Sequence, residues 1–338
     1  MDVVEPAMVV MMDKSGGPTL RQRLEWWGLR LALGVARRLS VERVAAIGAV
    51  VLGRVGPRLR PNRRTLANLA IVFPDRSPAE REAIARAMWA NMGRTFAETL
   101  VLDRLIADPS RIEITDLATW ERRAAEPGPI VGCTLHMGNW ELTPRPFSVL
   151  GRPPAGVYKR LDNPLVDAWL RETRSPFFPA GLLGKGARDD SDGTGQRTAR
   201  QLLDRARSGG VLGFVVDHFD RRGDPVRFFG RQARFATAPA AIARHVGARV
   251  WVGRCMRIGT ASRFRFELQE VPVPRTGDRK SDAAALTAQI FAVFEQWIRE
   301  SPEQWMWWNT RWVGGEDQPA RAEAATGPVV AQPASGPG

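Results

Sequence analysis

One short segment of the chain combines the residue types that general base catalysis requires. His136 and Glu141 stand five positions apart, and the chain contains only three histidines. An imidazole has a pKa near neutrality, so it can take a proton from a hydroxyl nucleophile. A carboxylate on its other ring nitrogen would fix the tautomer and stabilise the imidazolium. The spacing therefore predicts a base with an orienting partner, the alternative being a histidine satisfied in a turn beside a solvated glutamate.

The residues before this pair indicate where it lies in the fold. An apolar run at residues 130–135 follows Gly128 and Pro129. An apolar run after a Gly-Pro break is typical of a buried strand. His136 would then stand at the end of that strand, where open α/β sheets usually carry their site residues.

Two later runs that resemble strands, residues 155–159 and 211–217, also end in charged residues. The first ends in Lys159 and is followed by Arg160, and the second ends in Asp217. Cations at the edge that carries the histidine could clamp phosphate oxygens or a developing oxyanion. The aspartate could position a substrate or pair with an arginine. Solvated surface charges are the alternative, especially for Lys159.

Strand-like and helix-like segments alternate along most of the chain. Five runs have the composition of strands: 130–135, 155–159, 211–217, 249–256 and 264–271. Segments with helical periodicity follow them: 163–174, 194–207, 238–246 and 282–300. A Gly-Lys-Gly segment at 184–186 and the acidic run after it predict a surface loop. The alternation predicts an α/β fold, with a mixed, mainly parallel sheet covered by helices.

The N-terminal region has a different character. Residues 21–60 interleave arginine with tryptophan and aliphatic residues over two predicted helices. Neither helix has about 18 uninterrupted apolar residues, so a simple transmembrane span is not predicted. A basic amphipathic helix with tryptophan fits a membrane surface, and ordinary core helices are the alternative. Residues 1–20 and 316–338 are predicted to be disordered.

Composition narrows the classes of partner. The net charge of +13 indicates an anionic partner, which could be a phospholipid surface, a nucleic acid or a phosphorylated substrate. No nucleic-acid-binding signature is present, so nucleic acid is not predicted. Cys133 and Cys255 form no Cys-x-x-Cys pair, and no metal-ligand cluster appears, so both are interpreted as buried structural thiols in a reducing compartment. There is no secretory signal, Walker loop or Gly-x-Ser-x-Gly elbow.

An aromatic segment later in the chain has two interpretations. Phe229 and Gly230 follow another phenylalanine and several arginines. They could form a hairpin edge in the core, or an apolar wall for a lipid chain. The tryptophan-rich segment 305–312 could likewise cap the core or touch lipid.

Taken together, ordered blocks over residues 20–314 resemble the late, lauroyl/myristoyl-type acyltransferases of lipid A biosynthesis, within the lysophospholipid acyltransferase superfamily. The blocks are His136 to Glu141 as a His-x4-Glu motif, Asn68-Leu69 before Phe73-Pro74, Glu98, Tyr158-Lys159-Arg160 before Asn163-Pro164, Asp217 before Phe228-Phe229-Gly230, and Pro302-Glu303-Gln304-Trp305 before Arg311. Two departures concern the acceptor: His218 stands where the family often has glutamine, and Asn309 where it often has histidine.

The resemblance implies an activity and a set of partners. The acyltransferase domain, residues 61–315, would move a fatty acyl chain from acyl carrier protein to a hydroxyl of a lipid A precursor. Acyl-acyl carrier protein would be a co-substrate, with no cofactor, metal or covalent acyl-enzyme. The resemblance further implies anionic membrane lipid as a partner and the cytoplasmic face of the bacterial inner membrane as the location. It leaves open the chain length, the hydroxyl acylated and the oligomeric state.

The resemblance also implies roles for individual residues. His136 would be the general base and Glu141 its orienting partner. Arg160 would bind acceptor phosphate or stabilise the oxyanion. The substrate-binding residues would be Gly138, Asn139, Lys159, Arg160, Asp217, Phe229 and Gly230.

Two other functions fit the sequence. One is an acyltransferase of another glycolipid or phospholipid that uses acyl-CoA. The other is a non-catalytic basic protein that binds anionic lipid. Convergence of His136, Glu141 and Arg160 on one pocket would favour catalysis, and a Glu141 that points away from the imidazole would favour binding.

Overall fold

The computed structural model describes residues 17–185, 194–310 and 312. Disorder was predicted for residues 1–20 and 316–338, and an acidic loop at 189–192; of these only residues 17–20 are described, and there the prediction is wrong at Thr19 and Leu20, which cap and begin a helix. The described residues contain nine strands: β1 (Ile112–Ile114), β2 (Ile130–Gly138), β3 (Pro154–Lys159), β4 (Leu182–Lys185), β5 (Val211–Val215), β6 (Phe219–Phe228), β7 (Arg231–Phe235), β8 (Arg249–Arg257) and β9 (Phe264–Val271).

Seven of these strands form one sheet, in the order β1-β9-β8-β2-β5-β3-β4. The five strands from β8 to β4 are parallel, whereas β9 runs antiparallel to β8 and β1 runs parallel to β9. The remaining two strands, β6 and β7, form a separate antiparallel hairpin. The prediction of a mixed, mainly parallel sheet is confirmed. Because β2, β5, β3 and β4 are parallel, their carboxyl ends meet at one edge.

Eleven α-helices accompany the strands in the part of the chain that the structure describes. They are α1 (Leu20–Ala36), α2 (Val41–Val55), α3 (Arg60–Val72), α4 (Pro78–Thr99), α5 (Leu102–Ala107), α6 (Leu117–Ala125), α7 (Arg145–Val149), α8 (Pro164–Arg174), α9 (Thr194–Arg207), α10 (Ala238–Val246) and α11 (Arg279–Glu300). The predicted surface loop is wrong at residues 184 and 185, because they belong to the edge strand β4 and pair with β3.

The sheet has two covered faces. On the α2 face, the end of α1 and the buried side of α2 share a core with Phe177, Phe264 and Phe266. On the α9 face, Leu202 and Ala206 of α9 pack on Ala155 and Leu212. The long helix α11 and the hairpin pack on the same sheet through an aromatic core. Successive strand residues point to opposite faces, so each strand supplies both cores.

Helices α2 and α4 are in backbone contact. A Cβ atom on Gly48 would stand 2.2 Å from the carbonyl oxygen of Gly93, and a Cβ on Gly93 would stand 2.0 Å from the oxygen of Gly48. Only glycine at both positions permits this approach. The N-terminal helices are thereby fixed to α4, which continues towards the edge of the sheet that carries His136.

The outer side of α1 and α2 is apolar. Large apolar side chains there are at least 46% exposed: Leu20, Leu24, Trp27, Leu31 and Val35 on α1, and Ile47, Val50, Val51 and Val55 on α2. Their spacing of three and four residues places each set on one side of its helix. Among the described helices, none combines the length and the apolar character that crossing a bilayer requires.

Candidate active site

The imidazole of His136 is paired with a carboxylate from the neighbouring strand. Nδ1 of His136 lies 2.7 Å from Oδ1 of Asp217. The backbone N–H of His136 donates to Oδ2 of the same carboxylate at 2.9 Å. Thr134 of β2 pairs with Val215 of β5, so two residues later His136 and Asp217 stand level at the carboxyl edge. Parallel pairing therefore joins two residues that are 81 positions apart in the chain.

Asp217 is fully buried and held from three directions. Besides the two His136 contacts, the indole N–H of Trp305 donates to Oδ2 at 2.8 Å. Burial alone would raise the pKa of Asp217, but the imidazole and these hydrogen bonds outweigh it, and the pKa lies below its usual value. The ionised carboxylate accepts from Nδ1–H and so holds His136 in the tautomer with a lone pair on Nε2.

Nε2 is the ring nitrogen of His136 that lies away from Asp217. Within the described part of the chain, no hydrogen-bond partner of Nε2 is found, and the side chain of His136 is 21% exposed. The ring is flanked by Trp140, edge-on with centroids 5.3 Å apart, and by the side-chain amide of Asn309, 3.1 Å from Nδ1. A hydroxyl that enters beside Trp140 can therefore donate its proton to Nε2.

The carboxylate of Glu141 is engaged by a different residue. Nε of Arg174, at the end of α8, donates to Oε2 at 2.7 Å, and a terminal guanidinium nitrogen contacts Oε1. Trp140 also donates from its indole N–H to Oε1 at 3.1 Å. The expected contact between Glu141 and the imidazole is corrected, because Asp217 occupies the Nδ1 side. Glu141 and His136 are still linked, since Trp140 touches both.

Gly138 and Asn139 form the turn that carries these residues. Gly138 has φ of +59°, and a Cβ atom there would stand 1.9 Å from the carbonyl oxygen of Cys255. The side-chain N–H of Asn139 donates to Oε2 of Glu98 at 2.8 Å, and its Oδ1 accepts from the backbone N–H of Glu141 at 3.2 Å. In this structure both residues shape the backbone between His136 and Glu141.

A buried ion pair supports that turn from α4. Both nitrogens of the Arg257 guanidinium fork donate to Glu98, each at 2.6 Å, and both side chains are almost fully buried. Ser262 donates a further hydrogen bond to Glu98 at 2.7 Å. One turn earlier on α4, Thr95 donates to the carbonyl oxygen of Gly138 at 2.9 Å. Asn91 of α4 also donates to the carbonyl oxygen of Gly138, at 3.3 Å, so the helix contacts the turn through three side chains.

Lys159 and Arg160 lie at the same edge, at the end of β3, and both are exposed. Asp167 fixes their loop, since it accepts from the Tyr158 hydroxyl at 3.1 Å and from the backbone N–H of Leu161 at 2.7 Å. The Arg160 side chain extends over Gly184 of β4. Arg174, which was not predicted, is the cation beside Glu141, while Arg160 stands further along the edge.

His218 follows Asp217 at this edge. Partial burial lowers the pKa of His218 below its usual value, His136 and Lys159 act in the same direction, and Asp217 opposes them. The residue as a whole is still open to solvent. His218 therefore lies within electrostatic reach of both His136 and Lys159.

Phe229 and Gly230 form the two-residue turn between β6 and β7. Both have positive φ, +49° and +75°, as a tight hairpin turn with two left-handed residues requires. Phe229 is 8% exposed and packs among tryptophans, and its backbone N–H donates to Glu295 of α11 at 2.6 Å. Of the two interpretations, the structure shows the hairpin in the core. Binding of substrate by either residue remains a prediction.

A narrow apolar cavity of about 60 Å³ opens in the α2 face beneath the histidine. Gly213 pairs with Gly132 on one side and with Gly156 on the other, so three adjacent strands lack side chains at one level. The rings of Phe147 and Phe178 cover the gap. The cavity reaches Thr134, which shares a face of β2 with His136 because they are two residues apart.

Cys133 in β2 and Cys255 in β8 are both buried, as predicted. Burial raises the pKa of Cys133 to about 12 and raises that of Cys255 as well, so neither thiol is an activated nucleophile. Over the described ranges, no group of three histidine, cysteine or carboxylate residues is placed to hold a metal ion.

Comparison with known proteins gives these features a context. The family model described as bacterial lipid A biosynthesis acyltransferase matches residues 20–313. The chain is 27% identical to the lipid A biosynthesis lauroyltransferase of Escherichia coli K12, over 77% of this chain and 82% of that protein. It is 25% identical to the lipid A biosynthesis myristoyltransferase of the same strain, over 83% of this chain and 84% of that one. The chain therefore belongs to the bacterial lipid A biosynthesis acyltransferase family, and it is an acyltransferase.

Proposed function

We propose that the protein transfers a fatty acyl chain from an acyl carrier protein thioester to a hydroxyl of a lipid A precursor, with His136 as general base. The observation that carries this proposal is the His136–Asp217 pair, which leaves Nε2 available at the carboxyl edge of a parallel sheet. The same edge carries exposed cations that suit an anionic acceptor.

The reaction needs no covalent enzyme intermediate. The acceptor hydroxyl gives its proton to Nε2 while its oxygen attacks the thioester carbonyl carbon. Asp217 stabilises the imidazolium that results. The tetrahedral intermediate collapses with cleavage of the C–S bond, and the imidazolium returns the proton to the departing sulfur. The proton passes from the hydroxyl to the sulfur and the acyl group from the sulfur to the oxygen, so no other reactant is needed.

Arg174 and Glu141 add an ion pair to the site, next to Trp140. Burial would lower the pKa of Arg174, but the Glu141 carboxylate outweighs it and raises the pKa, so the guanidinium stays charged. We assign Glu141 the task of fixing Arg174 next to Trp140, and Arg174 that of meeting the developing oxyanion or an acceptor phosphate. Arg160, further along the edge, is assigned to a second negative group of the substrates.

We place the acyl chain in the apolar cavity beneath His136. Its lining is apolar, and it reaches the strand ends that carry the catalytic pair. A fatty chain needs more room than about 60 Å³, so we assign the rings of Phe147 and Phe178 a movement away from the glycines when the chain enters. Chain length would then depend on how deep this groove becomes.

Gly213→Val is expected to shift the donor preference towards shorter chains. A Cβ atom at Gly213 meets nothing closer than 3.7 Å, so the backbone accepts a side chain there, and the methyl groups of valine take up part of the groove beside Phe178. We expect kcat/KM for the longest donor to fall by roughly 10- to 100-fold, the usual discrimination per methylene or two, while short donors are unaffected. A ladder of donor lengths measures this, and an equal loss for all lengths would contradict the placement.

The acceptor is a lipid, and we propose that α1 and α2 lie on the membrane through their exposed apolar side, at the cytoplasmic face of the bacterial inner membrane. Apolar side chains beside arginines on a surface helix are the pattern of an interfacial anchor. Phe96 of α4, which is 48% exposed, touches Trp140 with ring centroids 6.0 Å apart. The apolar side therefore extends towards the opening beside His136.

Leu31→Glu is expected to weaken binding to anionic vesicles. The side chain is 72% exposed on the apolar side of α1, so the charge disturbs insertion but not the core. We expect binding to be weaker by roughly 10- to 100-fold, since a buried leucine contributes about 1.5–3 kcal/mol and the glutamate is repelled by anionic lipid. Val149→Glu on α7, 50% exposed, is the matched control. Equal losses in a vesicle-sedimentation assay would contradict the assignment.

The decisive experiment incubates the purified protein with a lipid A precursor and an acyl donor and follows product mass. A gain of one acyl chain with acyl carrier protein as donor, and a much smaller gain with acyl-CoA, is the expected result. Transfer from acyl-CoA alone would show that the proposed donor is wrong. Transfer only to another lipid would show that the proposed acceptor is wrong. Binding of anionic lipid without transfer from either donor would contradict both the proposed donor and the proposed acceptor.

A further inference from the structure

The outer side of α9 is strongly basic. The helix contains four arginines and one acidic residue, Asp204. Thr198, Leu202 and Ala206 are its buried side. Directly opposite, at spacings of three and four residues, stand Arg197, Arg200, Asp204 and Arg207, all exposed. The stripe therefore has three positive charges and one negative charge.

This basic stripe lies on the other face of the sheet from the apolar helices. Leu202 and Ala206 pack on Ala155 and Leu212 in the α9 face, whereas α2 packs in the α2 face. No large apolar side chain of α9 is exposed, in contrast to α1 and α2. The stripe consequently points away from the side that we assign to the membrane, and it lacks the apolar residues that insertion requires.

The start of the stripe is nevertheless close to the carboxyl edge of the sheet, which carries His136. The first turns of α9 follow β4, and the Thr198 hydroxyl lies 3.4 Å from the carbonyl oxygen of Gly184 in that strand. The Arg160 side chain covers the same glycine. Arg197 is the neighbour of Thr198, so the stripe begins near Arg160 at this edge, and Arg200 and Arg207 follow it along α9 towards the start of β5.

We propose that Arg197, Arg200 and Arg207 of α9 form the docking surface for an acidic carrier protein that delivers the acyl thioester. This rests on the proposed function and adds the surface that the donor uses. An acidic helix of the partner lies along the stripe, and its thioester arm crosses Arg160 and Lys159 to the opening beside His136. Charge complementarity of this kind governs encounter rate and orientation.

This surface also separates the two substrates in space. A donor on the α9 face and a lipid on the α2 face approach the carboxyl edge from opposite sides. The carrier protein therefore does not compete with the membrane for the apolar helices, and both substrates reach Nε2 of His136.

The test reverses two charges of the stripe, Arg197→Glu together with Arg200→Glu. The matched control, Arg279→Glu with Lys280→Glu, makes the same change in net charge at the start of α11, where both side chains are exposed. Two donors are compared: an acyl carrier protein loaded with a dodecanoyl chain, and dodecanoyl-pantetheine, which has the same thioester without the protein. Binding of the loaded carrier is measured in parallel by fluorescence anisotropy.

At low salt we expect the α9 variant to bind the carrier roughly tenfold more weakly and to lose about tenfold in kcat/KM with it, through KM. Activity with dodecanoyl-pantetheine stays at the wild-type level, and the control variant matches wild type with both donors. The difference between wild type and variant shrinks in high salt because the charges are screened.

Three results would overturn the docking surface: equal carrier affinity in the α9 variant and the control, equal loss with both donors, or loss of binding to anionic vesicles in the α9 variant, which would make the stripe a membrane contact. Wild-type protein that transfers from neither donor would instead contradict the proposed function, and the anisotropy measurement would still decide the docking surface.

Discussion

His136→Ala is expected to lower kcat for acyl transfer by about 10⁴-fold, the upper range for removal of a positioned general base. The variant should lose some stability because buried Asp217 loses its imidazole partner, but it should still fold and bind vesicles, since the backbone N–H of residue 136 and the Trp305 indole continue to donate to the carboxylate. Asp217→Asn should cost about 10³- to 10⁴-fold, since an amide in that place favours the wrong tautomer. Steady-state kinetics with a saturating donor measures both effects.

The two substitutions act on one unit, so their effects should not add. The His136→Ala/Asp217→Asn double variant is expected to be no slower than His136→Ala alone. Asp282→Asn is the matched control: this buried carboxylate binds Arg244 and Thr276 far from the site, and its loss should affect stability but not kcat. A multiplicative loss in the double variant would show that the two residues act independently, and full activity of His136→Ala would remove the histidine from the mechanism.

Glu98→Ala is expected to lower the free energy of unfolding by about 3–5 kcal/mol, the usual cost of leaving one member of a buried ion pair without its partner. Arg257 would keep its charge in a buried place, and Ser262 and Asn139 would each lose an acceptor. Denaturant titration measures the loss. The activity that remains should also fall, because Asn139 loses one of the contacts that set the turn after His136.

Glu98→Gln separates charge from hydrogen bonding. The amide has the same shape and can still accept from Asn139 or Arg257, so we expect a smaller loss of stability, about half that of the alanine variant. A Glu98→Ala protein as stable as wild type would show that the pair is not a structural support. Equal effects of the two substitutions would show that the charge alone matters.

The sequence was most informative where a periodic pattern and a clear break coincide. The helix predicted at 194–207 and the one at 238–246 have the observed bounds, because each combines a regular apolar spacing with polar flanks. The five predicted strands are all present, since buried parallel strands appear as apolar runs and the antiparallel strand β9 begins with alternating apolar and polar residues. The edge strand β4 was missed because four residues with a glycine give no periodicity.

The site was harder to predict than the fold, for a physical reason. A short motif favours partners that are near in sequence, and Glu141 was assigned to the imidazole on that ground. The actual partner, Asp217, reaches His136 through the pairing of β2 with β5, which no local spacing records. Parallel pairing of two strands that both end in a polar residue was the available signal. Arg174 gave none, because an arginine at the end of an amphipathic helix resembles a solvated charge.

The glycine contact between α2 and α4 has a consequence for how these helices tolerate change. At Gly48 and Gly93 the fit depends on the absence of any side chain, so bulk and not polarity decides whether a substitution is accepted. Alanine, the mildest replacement on any polarity scale, forces the two helix axes apart at either position. The exposed residues one turn away can exchange freely among apolar types. Neighbouring positions of one helix therefore differ in what they tolerate. At the glycines any added atom is unfavourable, whereas at the exposed positions only the apolar character of the side chain matters.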